Sequence, residues 1–160
     1  MTMKKCMFCM IAGIMSLIGC GTPEPTGELL SVDYTHSGTM AGYIYEGRVK
    51  QDSNGNYVLT AMKENYGPLF QKQISKEAVD SFKQIIIEEK MYKYKEHYTP
   101  RMEVLDGEGW HFAAKFSDGT RIYSSGSNAW PRGNGLGRIQ GYLLKLIADA
   151  DTIVEESEEE

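Results

Sequence analysis

Trp110-His111-Phe112-Ala113-Ala114-Lys115-Phe116-Ser117-Asp118-Gly119-Thr120-Arg121-Ile122-Tyr123-Ser124 is the stretch whose reading decides the fold. Trp110, Phe112, Ala114 and Phe116 alternate with His111, Ala113 and Lys115. Successive side chains of a strand point to opposite faces, so the pattern is that of a strand with one apolar face. Ser117-Asp118-Gly119-Thr120 reads as a hairpin turn through Asp-Gly, and Arg121 to Ser124 returns. The chain doubles back, and its pairing is antiparallel.

The same pattern appears upstream. Leu30, Val32 and Tyr34 alternate, and His36-Ser37-Gly38-Thr39 reads as a turn or bulge. Tyr43 to Lys50 is rich in strand formers: Tyr43, Ile44, Tyr45 and Val49. Asp52-Ser53-Asn54-Gly55-Asn56 follows, and Asn-Gly between two such runs predicts a tight turn with both central residues at positive φ. Tyr57 to Met62 returns, and Gly67-Pro68 breaks the strand.

Two segments carry the helical period instead. Ser75 reads as an N-cap, with Lys76 and Glu77 opening the first turn. Ala78, Val79, Phe82, Ile85 and Ile86 form one apolar stripe, and the helix is expected to end near Met91 or Tyr92. Tyr94 to Pro100 reads as a loop, as does Ser125 to Gly135. From Leu136, a second stripe runs through Ile139, Tyr142, Leu143, Leu146 and Ile147. Hairpins in series with two such helices predict an α+β fold: an antiparallel sheet built from hairpins, with two amphipathic helices packed on one face. A doubly wound parallel sheet would need strand and helix to alternate throughout.

The first 19 residues stand apart. Lys4 and Lys5 precede an apolar run of 12 residues, Met7 to Ile18. A spanning helix needs about 20 apolar residues, so the run suits export rather than permanent anchoring. Leu17-Ile18-Gly19-Cys20 closes it and resembles the bacterial lipobox. The resemblance implies that Cys20 receives a diacylglyceryl group, that residues 1–19 are removed, and that the new amino terminus is acylated. Two acyl chains hold a protein stably at a bilayer where one does so only marginally. The expected organisation is a signal peptide over 1–19, a lipidated Cys20 with a flexible tether over 20–27, a single domain over 28–149 and a disordered acidic tail over 150–160. The expected location is outside the cytoplasm, on the cell membrane or outer membrane.

Cysteine and charge usage agree. Cys6 and Cys9 fall in the signal and Cys20 carries lipid, so the mature domain holds no thiol and relies on its core. Removing Lys4 and Lys5 from 17 basic residues leaves 15 against 22 acidic ones, a net charge of −7. No basic patch of the kind that binds nucleic acid is visible in the sequence. Glu155-Glu156-Ser157-Glu158-Glu159-Glu160 is a solvated like-charge run.

Catalytic chemistry leaves little trace. His36, His97 and His111 are far apart in sequence, and no zinc spacing survives in the mature chain, so no metal or cofactor is expected. His36 near Asp33 and His111 near Glu108 give one local pair each. Ser124-Ser125-Gly126-Ser127 lacks a nucleophile elbow, and a nucleophilic serine needs a base within reach. Glu103, Asp106 and Glu108 cluster before the second hairpin, as paired acids or as a solvated turn.

The distinctive internal run is Ser125-Gly126-Ser127-Asn128-Ala129-Trp130-Pro131, followed by Arg132-Gly133-Asn134-Gly135. With the Asp118-Gly119 hairpin before it and a helix after it, it resembles uncharacterised small lipoproteins of gut bacteria. That resemblance carries no activity and no catalytic residue. Two readings of the loop stand. Asn128, Trp130 and Arg132 bind a ligand, with the N–H groups of the following helix start holding an anion. Alternatively, Trp130 plugs the gap between the sheet and the last helix. Tyrosines at 43, 45, 57, 92, 94, 98 and 123 suit either a binding face or ordinary strands.

The sequence therefore points to a lipid-anchored, non-enzymatic binding domain meeting a protein, peptide or glycan at the envelope. The alternative is an envelope hydrolase acting on glycan or peptide through Glu103 to Glu108 or a serine near Ser125. Cys20→Ala is expected to abolish lipid labelling and release the chain from the membrane fraction; unchanged labelling would overturn the anchor.

Overall fold

A computed structural model describes residues 22–38, 46–63, 67–102 and 107–148, together with the backbone of Asp151–Ile153. The signal segment with Cys20, the tyrosines at 43 and 45, Glu103 and Asp106, and the final glutamates lie outside the described residues.

The fold is α+β. Strands β1 (Leu29–Ser37), β2 (Glu46–Gln51), β3 (Tyr57–Met62) and β4 (Leu69–Ile74) precede helix α1 (Lys76–Glu88). Strands β5 (His97–Tyr98), β6 (Gly109–Phe116) and β7 (Arg121–Ser127) precede helix α2 (Gly135–Ile147), and β8 (Asp151–Ile153) closes the order. The strands form one sheet in the order β5-β7-β6-β1-β2-β3-β4-β8. Every pairing is antiparallel except that of β5 with β7, which is parallel.

Alternation sets which side chains go inward. Val32 stands opposite Val49 on one side and Ala114 on the other, and Tyr34 stands opposite Gly47 and Phe112. Val32, Tyr34, Val49, Leu59, Phe112, Ala114 and Ile122 are all buried. They share one core with Val79, Phe82, Ile85 and Ile86 of α1 and Ile139, Leu143 and Ile147 of α2. The rings of Phe82 and Tyr142 meet edge-on at 4.7 Å between centroids, and Leu143 lies against Gly47. A register shift between Leu29 and Ser31 turns Leu29 inward and leaves Leu30 half-buried.

Ser75 caps α1 as expected, its side chain accepting from the Ala78 N–H. The helix ends at Glu88, short of Met91, because Lys90 takes a left-handed conformation at φ 51° and turns the chain into a short 3-10 turn at Met91–Lys93. The two hairpin turns share a geometry that differs from the expected one. Only Gly55 of the Asn54-Gly55 pair has positive φ, and Asp52 N–H bonds the Asn56 carbonyl at 2.8 Å. Gly119 likewise has positive φ, and Phe116 N–H bonds the Thr120 carbonyl at 3.0 Å. Each is a three-residue loop ending in a left-handed glycine.

Four expectations are corrected. β4 and β5 fall in segments without a strand pattern. The tail over 150–160 begins as a strand, because Asp151, Thr152 and Ile153 pair with Gln71, Phe70 and Leu69 at the free edge of β4. The segment read as a tether over 20–27 is docked from Glu24 onward. One oxygen of Asp118 accepts the N–H of Thr26 at 2.7 Å, that of Gly27 at 2.8 Å and the Thr26 hydroxyl at 3.0 Å. Pro25 is buried, and the Tyr92 hydroxyl donates to Glu24 at 2.8 Å. The second hairpin thus binds the incoming chain through its turn aspartate.

Asp118 also accepts from Thr120 N–H in its own turn. Its bonds to the N–H groups of Thr120, Gly27 and Thr26 hold its carboxyl well below the ordinary range. A depressed carboxylate contributes stability above its unfolded pKa of about 3.9 and loses that contribution as pH falls. Asp118→Asn is therefore expected to lower the unfolding midpoint at pH 7 and to flatten its fall below about pH 4. Parallel acid limbs for the variant and the parent would show that Asp118 is not the clamp.

Candidate functional site

The loop after β7 is built around the two tryptophans, which take opposite roles. Trp110 on β6 is buried, at 4% exposure, and its indole N–H donates to the Ala129 carbonyl at 2.8 Å. Gly126 makes room for it, since a side chain there would collide with the indole. Trp110 thereby pins the loop at Ala129, and the next residue, Trp130, is 47% exposed. The plug is Trp110, and Trp130 is presented outward. Pro131 fixes the backbone beyond it.

Asn128 does structural work in the loop. It sits in a left-handed conformation at φ 48°, which asparagine tolerates better than most residues. Its Oδ1 accepts Glu108 N–H at 2.9 Å, and its own N–H donates to the Glu108 carbonyl at 2.8 Å. This two-way clamp ties the chain entering β6 to the chain leaving β7. Glu108 also reaches His36 Nε2 at 3.3 Å. A shallow, polar recess of ≈ 470 Å³ lies here between Gly38, Gly107, Glu108, Asn128 and Trp130.

On the other side of Trp130 is a deeper cleft of ≈ 510 Å³. Its walls are Glu89, Lys90, Lys93, Tyr94, Lys95, Tyr98, Trp130, Pro131 and Arg132. The helix end and 3-10 turn supply the lysines; the loop after β7 supplies Trp130 and Arg132. Tyr98 lies 6.4 Å from Tyr94 and 5.7 Å from Trp110, centroid to centroid, so the cleft is backed by an aromatic row. Burial, with the Glu89 charge nearby, pushes the Tyr94 hydroxyl up to about 12. Arg132 is exposed.

The helix start already has an internal partner. Glu89 accepts the Asn134 N–H at 3.2 Å and Arg138 at 3.0 Å, and Arg138 also grips Glu88 at 2.8 Å. An internal carboxylate thus takes one of the N–H groups proposed for an anion. Arg138 and the Asn134 N–H hold the Glu89 carboxyl below its ordinary range.

The histidines exchange their expected partners. Pairing of β1 with β6 puts His36 opposite Trp110 and Thr35 opposite His111. His36 therefore meets Glu108, while Asp33 is the charge nearest in effect to His111, whose pKa burial lowers. Ser125 is brought to His97, with Oγ and Nδ1 2.8 Å apart, and it stands opposite His111 across the β6–β7 pair. The Ser125 hydroxyl lies within hydrogen-bond reach of both His97 Nδ1 and, at 3.2 Å, the Glu96 carbonyl, and its one proton can serve only one of them. A nucleophile must give that proton to the histidine, and the Glu96 carbonyl competes for it. The Ser125 N–H is bonded to the same carbonyl at 2.9 Å and is not an oxyanion donor. Among the described residues, no three His, Cys, Asp or Glu side chains converge as a metal site.

Compared with known proteins, the chain matches no family model, no curated protein and no solved structure.

Trp110→Ala is expected to cost about 3–5 kcal/mol in denaturant unfolding, as a buried tryptophan does. Trp130→Ala is expected to shift stability by less than about 1 kcal/mol. Comparable losses for the two would return Trp130 to the core.

Proposed function

We propose that this chain is a lipid-anchored binding protein of the cell envelope, without catalytic activity, which meets a glycan or peptide at the cleft beside Trp130. The observation that carries the reading is the outward Trp130. It is held from behind by Trp110 and stands between two recesses, with Arg132 beside it. Exposed tryptophan and arginine at a concave site are the residue types that dominate binding energy. Cys20 supplies the anchor in this reading. No helix among the described residues is long and apolar enough to cross a membrane.

The placement of the helices belongs to the same proposal. Both α1 and α2 cover the face bearing Val32, Tyr34 and Phe112, supported by the shared core and by Leu143 against Gly47. The opposite face then carries Asp33, Glu46, Arg48, His111, Tyr123 and Ser125. Arg48 bonds both Asp33 and Glu46 there, which makes that face a self-satisfied polar surface. The hydrolase alternative rests on the contact of Ser125 with His97 on that face; the Glu96 carbonyl, which takes the Ser125 N–H and competes for its hydroxyl proton, disfavours it.

The test uses a Cys20→Ala chain, so that no lipid contributes to retention. Sedimentation with isolated envelope polysaccharide and peptidoglycan is expected to retain this chain and to lose about nine-tenths of it when Trp130→Ala is added, a tenfold or 1.4 kcal/mol effect. Equal retention of both chains, at equal unfolding midpoints, would overturn the cleft as the contact surface.

A further inference from the structure

The cleft beside Trp130 has a charge that the whole chain does not. The protein carries 17 basic and 22 acidic residues, a formal net charge of −5. Yet Lys90, Lys93, Lys95 and Arg132 all line this one cleft. None of the four has a carboxylate partner among the described ion pairs, which go to Arg48, Lys76, Arg138 and His36 instead. The one acid in the wall, Glu89, is taken up by Arg138 and the Asn134 N–H.

Lys90 adds a second, independent observation. It occupies the position just after the α1 cap in a left-handed conformation, at φ 51°. That position favours glycine, because a β-carbon is strained there. The chain holds a lysine instead, and that lysine lines the cleft.

We infer that the cleft binds an acidic glycan, its carboxylate or sulfate groups held by Lys90, Lys93, Lys95 and Arg132 and a sugar ring stacked on Trp130. The inference rests on the binding reading above and names its ligand class. Ring faces carry negative quadrupole density and meet the polarised C–H face of a pyranose. Ammonium and guanidinium groups make charge-assisted hydrogen bonds to the acid groups. A peptide would call on main-chain partners. On the wall that carries the lysines the main-chain donors are spent: the N–H groups of Lys90, Lys93 and Tyr94 bond the carbonyls of Ile87, Lys90 and Met91, and that of Lys95 bonds the Tyr98 hydroxyl at 3.1 Å. What the cleft offers is side-chain charge and ring faces.

The probe is a galacturonic acid trimer, titrated against the Cys20→Ala chain by tryptophan fluorescence and calorimetry, beside the neutral galactose trimer. The acidic trimer is expected to bind at least about tenfold more tightly, by an amount that shrinks with added salt. Lys93→Gln with Arg132→Gln is expected to erase that preference at an unchanged unfolding midpoint. Lys90→Gly is expected to raise the midpoint and still weaken the acidic trimer, which a merely structural lysine would not do. Equal binding of the two trimers would overturn the charge assignment and leave Trp130 standing as a contact. Tighter binding of a glutamate hexapeptide, or of phosphatidylglycerol vesicles, than of the acidic trimer would overturn it in favour of that ligand. Binding of neither trimer would overturn it even if Trp130 still governs retention on envelope material.

Discussion

The pairing of β1 with β6 is the constraint on which the rest depends. β1 lies in the middle of the sheet, with the β2–β3–β4 meander on one side and the β6–β7 hairpin on the other. Without the β1–β6 ladder the two halves would be a meander and a hairpin, each with an unpaired edge. Its register places Tyr34 opposite Phe112 and His36 opposite Trp110. A slip of one residue would send each of these to the other face. Because Trp110 is buried by this register, its indole reaches Ala129, and Trp130 is turned out one residue later. The exposure of the candidate contact residue is thus a consequence of a strand register set far from it in sequence. Asp118 adds a second tie across the same junction, joining the β6–β7 turn to the chain that enters β1.

Much of this was legible in the residues. The alternation over Trp110 to Phe116, the Asp118-Gly119 turn, the Ser75 cap and both helical stripes each carry a local signal, and each appears in the structure. The missed strands carry none. β4 reads Leu69-Phe70-Gln71-Lys72-Gln73-Ile74, with two apolar residues side by side and no period of 2. It is a strand because β3 offers it an edge. β8 has three residues and β5 two, and each is defined by the strand it joins. The turn type was misread for a related reason. Asn-Gly fits a two-residue turn, but Asp52 draws both Asn54 N–H and Asn56 N–H onto its carboxylate and favours the longer loop.

The site was legible in composition and not in geometry. Asn128, Trp130 and Arg132 stand out because an asparagine, a tryptophan before a proline and an arginine among glycines are unusual together. Nothing local says which of the three is spent. Asn128 is, because a left-handed residue at the end of β7 puts its amide onto Glu108. The lysines of the cleft could not be added from sequence, since Lys90, Lys93 and Lys95 lie on the far side of β5 and β6 in the chain. They meet Arg132 only because α1 ends where α2 begins. Glu88, Glu89 and Arg138 fix that meeting point, joining the end of one helix to the start of the other. The positive end of the α2 dipole is then met by the Glu89 carboxylate from within the protein.

An acidic protein with a cationic cleft is not a contradiction once distance is considered. At physiological ionic strength, charges farther apart than about 8 Å are largely screened. The acids at the N-terminal end of α1, Asp33 and Glu46 of the sheet and the Asp118 turn are placed on other elements and act on the cleft through that screening. Lys90, Lys93, Lys95 and Arg132 share one concavity, where low-dielectric walls concentrate their field. Net charge governs how the whole molecule behaves in solution; the cleft is governed by the four cations within it. Among the described residues that line the cleft, Glu89 is the one carboxylate, and it faces Arg138. That arrangement separates the two signs of charge that the α1–α2 junction needs from the single sign that the cleft presents. An Arg138→Gln change would free Glu89 toward the lysines, so the same ion pair that locks the helices also keeps the cleft positive.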